Sequence, residues 1–588
     1  MTELELKIHQ PGVTFYGDRR LTTVTISDIK VDDGVKEVFF EGFKDCDAIK
    51  VNIQNNRRCP DVEMLYIDKN VISISVSNNT FPKVNKVISD SKYFLSGNVL
   101  VERYIGQDVY ILKNTFCKKK GENIDLKNVN RIKDYAFVNC CSGNVTNVSE
   151  QILCDYKAFY QYKGITQLPV VDGAHMMGNI MMTASDTIPS RTTSINKDVD
   201  FSKKETVKLT DIKLVSQVYS ENISKRIYVD NEELIMPGDI YDACRYGFEG
   251  IDISPQNKYY ASIDGIVYTA DKKTLVRCPV GRTGKVIIPD GVIAIGRDAF
   301  RFCRINEAVI PDSVTEVGAA AFADSHIEKF SFGKGMTYIS KRMFRLCRNL
   351  KHIHIPSNIK EIMSSAFSAC EAVEDIVLDE GVERIGPDAF EAKDINYIKI
   401  SLPSSIKTIE SGALRNIKNI TLTDKIPSGF FTSLYTSDSG ADIHVNIGGK
   451  QYVLPSQSRF QDMDDYVSFL PFTDRLLWQQ YMYISDSDAM KRYEFIMRAY
   501  KAVDGNIEEQ SKKEMLDMLR DNQKYIVSNC CEYRYKAEYF IFLLSLDICT
   551  KQTIEKIIGF ADRTDGLSLK AYALDALSRI DTKTDFKI

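Results

Sequence analysis

The sequence predicts an α+β protein: a β-solenoid of short parallel strands in two arrays, followed by a small all-α C-terminal domain. Three observations predict it. A strand-plus-turn unit recurs six times between Val286 and Leu422, and its markers Phe300, Phe322, Phe344, Phe367 and Phe390 are 22, 22, 23 and 23 residues apart. A fixed period in the twenties is one unit stacked on copies of itself. Weaker copies occupy the N-terminal third. From about Pro471 the apolar period changes from that of a strand to that of a helix.

Each slot of the unit has a physical task. Runs such as Val286-Ile-Ile-Pro289, Val309-Ile-Pro311 and Ile353-His-Ile-Pro356 read as short strands whose alternate side chains point inward. Pro289, Pro311 and Pro356 end ladder pairing because proline has no N–H to donate. Two more apolar residues follow, such as Val292 with Ile295 and Ile359 with Ile362. An Ala-Phe pair then offers the core one small and one large side chain. A coil of this length has no interior of its own and must share its neighbours'. Cys46, Cys140, Cys303, Cys347 and Cys370 each stand three residues after a marker phenylalanine. Recurrence in one slot marks them as small core residues with free thiols.

The spacing Ile288-Pro-Asp-Gly-Val292, Ile295, Ala299-Phe300 and Cys303 resembles the BspA-like type of leucine-rich repeat. The upstream stretch Asn257–Tyr268, followed by Lys273–Pro279, is similar to the hairpin that such proteins place before a fresh run of repeats. The resemblance spans roughly Asn257–Leu422, is weaker in the N-terminal third and is absent from the C-terminal helices. It implies a bacterial type of leucine-rich-repeat solenoid that recognises other proteins, with no shared catalytic residue.

Composition narrows the function. The 588 residues carry a net charge of −4, with 44% hydrophobic and 27% charged residues. Nothing here favours nucleic acid or an anionic membrane. No apolar run is long enough to span a membrane. The start, Met1-Thr-Glu-Leu-Glu-Leu-Lys-Ile-His, has neither the basic nor the apolar part of a secretory signal. A cytoplasmic location is expected, or a surface or secreted one if an N-terminal segment was trimmed.

In chain order, residues 1–168 read as a degenerate first array. Phe43-x-x-Cys46, Ala136-Phe137-x-x-Cys140 and Ala158-Phe159 mark its coils. Residues 169–225 read as an irregular insertion. Within it the methionines of His175–Met182 cap a core edge, and Thr183–Lys204 forms a loop leaving the solenoid. The main array occupies 226–434. A hairpin cap and linker follow at 435–470, where Gly448-Gly449 separates two alternating runs. Residues 471–588 form the helical domain. Met490, Tyr493, Ile496, Met497 and Tyr500 share one face there, and Trp478 is a core residue.

Chemistry-bearing motifs are weak. Gly281-Arg-Thr-Gly-Lys285 approaches a phosphate loop, but Pro279 and Val286 stand where that motif needs Gly and Ser or Thr. His352 and His354 share one strand face, and we read them as an exposed pair rather than metal ligands. No catalytic, cofactor or metal site is assigned. The expected binding surface is the outward face of the parallel strands. One column runs Lys285, Glu307, Lys329, His352, Asp375, Tyr397, Asn419. The next runs Ile287, Val309, Ser331, His354, Val377, Lys399, Thr421. The expected function is a non-enzymatic scaffold that binds another protein there. The alternatives are a surface adhesin for host matrix protein or glycan and, less favoured, an enzyme with its site in the N-terminal third.

Overall fold

A computed structural model of the chain describes residues 4–41, 43, 45–53, 58–104, 108–218, 225–392, 396–423, 425–434, 442–455, 464, 490, 493, 496–497, 500, 509–532, 537–564 and 566–584. It divides into two compact units, Met1–Lys272 with Arg277–Arg282, and Lys273–Val276 with Thr283–Ile588.

The first unit begins with three antiparallel strands, Leu4–Gln10, Val13–Arg20 and Thr23–Val31. Gly12 turns the first pair at φ 72°, a conformation that costs glycine nothing. Parallel stacking then starts, with Thr23–Val31 pairing Ala48–Ile53 and that strand pairing Val71–Val76. On a second face Glu37–Phe40, Met64–Ile67 and Lys86–Ser89 pair in parallel. The antiparallel strands Leu100–Tyr104 and Val109–Asn114 interrupt the series. It resumes as Val109–Asn114, Arg131–Ile132 and Leu153–Cys154, with the rings of Phe137 and Phe159 5.0 Å apart inside.

The insertion expected over 169–225 is corrected by the structure. Ile180–Met181 pairs in parallel with Ser194–Ile195, and Thr187 bridges in parallel to Lys208. Ile188, Ile195, Val199 and Phe201 are buried. The loop expected at Thr183–Lys204 therefore contains solenoid turns, and Met176, Met177, Met181 and Met182 lie in the interior. The repeat was illegible because Phe201 and its neighbours lack the Ala-Phe pair while filling the same inward slots. Thr206–Leu209, Arg226–Val229 and Gly250–Ile253 continue in parallel. The hairpin Tyr260–Ile263 with Ile266–Thr269 turns at Asp264-Gly265, as the sequence anticipates.

The second unit stacks its outward-facing strands as β1 (Thr283–Ile287), β2 (Arg304–Val309), β3 (Lys329–Ser331), β4 (His352–Ile355), β5 (Asp375–Leu378), β6 (Asn396–Leu402) and β7 (Ile417–Leu422). A final pair, β8 (Asp442–Ile447) and β9 (Lys450–Pro455), turns at Gly448-Gly449 and adds an antiparallel edge. Inside, the marker rings form one stack. Successive centroids from Phe300 to Phe390 are 4.6, 5.7, 5.0 and 5.3 Å apart, with interplanar angles of 5°, 20°, 12° and 7°.

The stack is held by backbone bonds between coils. Phe300 N donates to Ala321 O, Phe322 N to Met343 O, Phe344 N to Ala366 O and Phe367 N to Ala389 O. The residue before each Ala-Phe or Met-Phe pair (Asp298, Ala320, Arg342, Ser365, Asp388) takes a left-handed conformation, φ 54–58°. That strain for non-glycine residues is repeated down the array. The recurring cysteine is also explained: Cys347 Sγ donates to Phe322 O and Cys370 Sγ to Phe344 O, each at 3.1 Å. A small apolar residue that still satisfies a buried carbonyl suits the slot.

C-terminal to the sheets lie α1 (Glu509–Glu532), α2 (Ala537–Ser545), α3 (Lys551–Arg563) and α4 (Leu567–Thr584). Thr550 caps α3 by accepting from Thr553 N. Met490, Tyr493, Ile496 and Met497 are buried, as their helical spacing requires, whereas Leu574 of α4 turns outward. Trp478 lies outside the described residues.

Candidate partner-binding face

Register fixes which side chains share this face. Lys285 pairs with Glu307 and Glu307 with Lys329, while Ile287, Val309 and Ser331 align beside them. Lys285 Nζ reaches Glu307 Oε1 at 2.8 Å. Further on, His352 aligns with Asp375 and His354 with Val377. The sequence then places Tyr397 beside Asp375, and this is corrected: Lys399 stands between Asp375 and Asn419, and Ser401 between Val377 and Thr421. The cause is an irregular start to β6, whose register shifts between Asn396 and Lys399. Ile400 therefore takes the inward slot opposite Ile376, where an even period puts Ile398. The side chain of Tyr397 lies outside the described residues.

The sequence gives no warning that the face is split. Strands β1 to β3 form one ladder and β4 to β9 another, with no pairing between β3 and β4. A cleft of about 900 Å³ opens there, lined by Lys329, Phe330, Phe332, Leu350, His352 and His354 among others. On the side face the short strands break one coil earlier. Tyr338–Ile339 pairs with Glu361–Ile362 but not with Glu316–Val317. The coil carrying β3 thus pairs backward on one face and forward on the other.

Two sequence features explain the split. Eight residues lead from Phe300 to Ala308 and from Phe322 to Phe330, but nine lead from Phe344 to Ile353, which sets β4 out of step. The inward slots of β3 also hold Phe330 and Phe332, where β2 and β4 use Ala308, Ile310, Ile353 and Ile355. Their rings pack edge-on to Phe344 at 4.8 and 6.4 Å and remain partly exposed. Gly333 and Gly335 then press the chain onto the preceding coil, because a Cβ at either would lie 2.2 and 2.4 Å from the Pro311 and Asp312 carbonyl oxygens.

Electrostatics at the rim are those of a mixed, solvated surface. His352 Nδ1 lies 3.0 Å from Asp375 Oδ2, and His354 Nε2 2.9 Å from Asp379 Oδ1. Each histidine is thus held by its own carboxylate. Among the described residues no group of three or more His, Cys, Asp or Glu side chains converges as a metal site. Arg348 and Lys351 approach Glu371 and Glu374 at 3.5 and 3.8 Å. Ile287 and Val377 are exposed aliphatics on the same face. Among the described residues, no helix is long and apolar enough to cross a membrane.

Comparison with known proteins identifies the repeat. The model of the BspA type leucine rich repeat region matches residues 109–234 and 282–396, in six copies. The first match runs through the segment that the sequence sets apart as an insertion. Among solved structures, a leucine rich cell surface protein from Faecalibacterium prausnitzii is 18% identical, covers 74% of this chain and 98% of its own, and has a TM-score of 0.28. The pneumococcal vaccine antigen PcpA is 12% identical, with 76% and 99% covered and a TM-score of 0.30. A T. pallidum leucine rich repeat protein is 23% identical, with 28% and 83% covered and a TM-score of 0.23. Comparison with curated proteins returns no match. The repeats at residues 109–234 and 282–396 are of the BspA leucine-rich type.

Proposed function

We propose that this chain is a protein-interaction scaffold whose partner docks on the outward strand face of the second unit. The docking surface comprises Lys285, Glu307, Lys329, Ser331, His352, His354, Asp375, Lys399 and Asn419, with Tyr397 at its margin. The cleft between β3 and β4 carries the reading, because it opens a partly apolar recess in a mixed, solvated face. Recesses with a few apolar walls and a polar rim are where buried anchor residues of a partner gain most. The strands that hold these side chains are fixed by the ring stack beneath, so little ordering entropy is lost on docking.

The test is affinity capture from the native host with the chain carrying H352A, H354A and Y397A. Loss of a partner captured by the natural chain is expected, with the thermal melt unchanged. Equal recovery by both chains removes the reading.

A further inference from the structure

The cleft has a second property besides its volume: its walls are strand edges. In an extended strand the N–H and C=O of one residue point to one side and those of the next to the other. Ile355 O accepts from Asp379 N at 2.9 Å and Lys351 O from Glu374 N at 2.8 Å, so these odd-numbered residues serve β5. The backbone groups of His352 and His354 therefore face β3. On the other wall Ser331 O accepts from Ile310 N at 3.0 Å, which commits Ser331 to β2 and turns the groups of Phe330 toward β4. No ladder joins the two strands. Two parallel edges thus confront each other with hydrogen-bonding groups that each would normally spend on the other.

We propose that this cleft is a slot for an extended segment of the partner polypeptide, which inserts as a strand and pairs with β3 and β4 together. The inference rests on the scaffold reading above and names what the partner presents. Size permits it: about four extended residues, one strand spacing wide and one sheet spacing deep, sweep about 600 Å³, against about 900 Å³ in the cleft. The edges are three and four residues long, which sets the inserted length. Side chains of the insert alternate with those of its neighbours. Those level with Phe330 and Ile353, and with Phe332 and Ile355, turn inward to the rings of Phe330, Phe332, Phe344 and Phe367 and must be apolar. The one before the first of these turns outward beside Lys329, an exposed cation for which no carboxylate partner is found among the described residues. Arg348 and Lys351 already have Glu371 and Glu374 beside them, so the charge preference of the slot rests on Lys329. The recognised core is therefore acidic–apolar–x–apolar, held chiefly through its backbone.

The experiment uses the full chain and a displayed library of random 12-residue peptides as probe. Winning sequences are expected to share the acidic–apolar–x–apolar core. A synthetic copy should protect the Phe330 and His354 amides from hydrogen exchange, and methylation of its central backbone nitrogen should weaken it about tenfold or more. Winners that leave those amides unprotected, winners indifferent to methylation, or an absence of winners would each overturn the slot. The two readings fail separately. If the alanine variant loses its partner while the Phe330 and His354 amides stay unprotected with every peptide, docking stands and strand insertion falls.

Discussion

Replacing Phe344 with alanine tests the interior directly. The ring is 1% exposed and sits between Phe322 and Phe367, at 5.7 and 5.0 Å, with Phe330 edge-on at 4.8 Å. A buried phenylalanine removes about 150–250 Å² from water, worth about 4–6 kcal/mol at about 25 cal/mol per Å². Measured Phe-to-Ala losses in cores run to about 3–5 kcal/mol. Phe344 lines the cleft, so water can enter the space left behind and the empty-cavity part of the loss shrinks. We expect about 3 kcal/mol for Phe344→Ala and about 4–5 kcal/mol for Phe300→Ala, which is fully enclosed. The assay is urea unfolding followed by circular dichroism, with hydrogen exchange to locate the opening, because stacked arrays can unfold in sections. The coil of Phe344 lacks one ladder on each side. Exchange should therefore rise first at Lys329–Cys347, splitting the array there. A loss below about 1 kcal/mol would show that the marker ring is no interior rung, and the account of the fold would fail.

Two further outcomes follow from the packing. Gly333→Ala places a methyl 2.2 Å from the Pro311 carbonyl oxygen, and overpacking of that kind costs about 1–3 kcal/mol. Gly238→Ala, with open space around it, should leave the melting temperature unchanged or slightly raised, and equal effects at both sites would refute the close approach. The second concerns alkali. Burial pushes the thiols of Cys347 and Cys140 up to about 12 and about 11, whereas in the unfolded chain they ionise near 9. The native state thus keeps protons that the unfolded chain releases. This stabilisation is complete below pH 9 and is lost as pH rises toward 11 or 12, at about 1.4 kcal/mol per unit per thiol. Urea midpoints should fall over that range, and less steeply in Cys347→Ala. A slope unaltered by that substitution would contradict the burial of the thiol.

Much of the fold is legible because each slot answers to local chemistry. Proline ends a strand wherever it stands, Gly448-Gly449 makes a turn from its own backbone freedom, and a phenylalanine repeated every 22 or 23 residues can be buried only by its copies. The columns Lys285–Glu307–Lys329 and His352–Asp375 follow at once, since even spacing sets register. The segment 169–225 was lost to this logic because Phe201, Val199 and Ile195 fill the inward slots without the tell-tale pair.

What the sequence by itself determined is the repeating interior: which residues face in, and that the coils must stack. The tertiary structure alone decided how neighbouring coils meet. One added residue before Ile353, two rings at Phe330 and Phe332, and a shifted start to β6 each change a strand's position relative to a neighbour more than twenty residues away. Hydrogen-bond pairing depends on that relative position, which no single coil contains. For that reason the buried stack could be read in advance, while the cleft and the place of Lys399 could not.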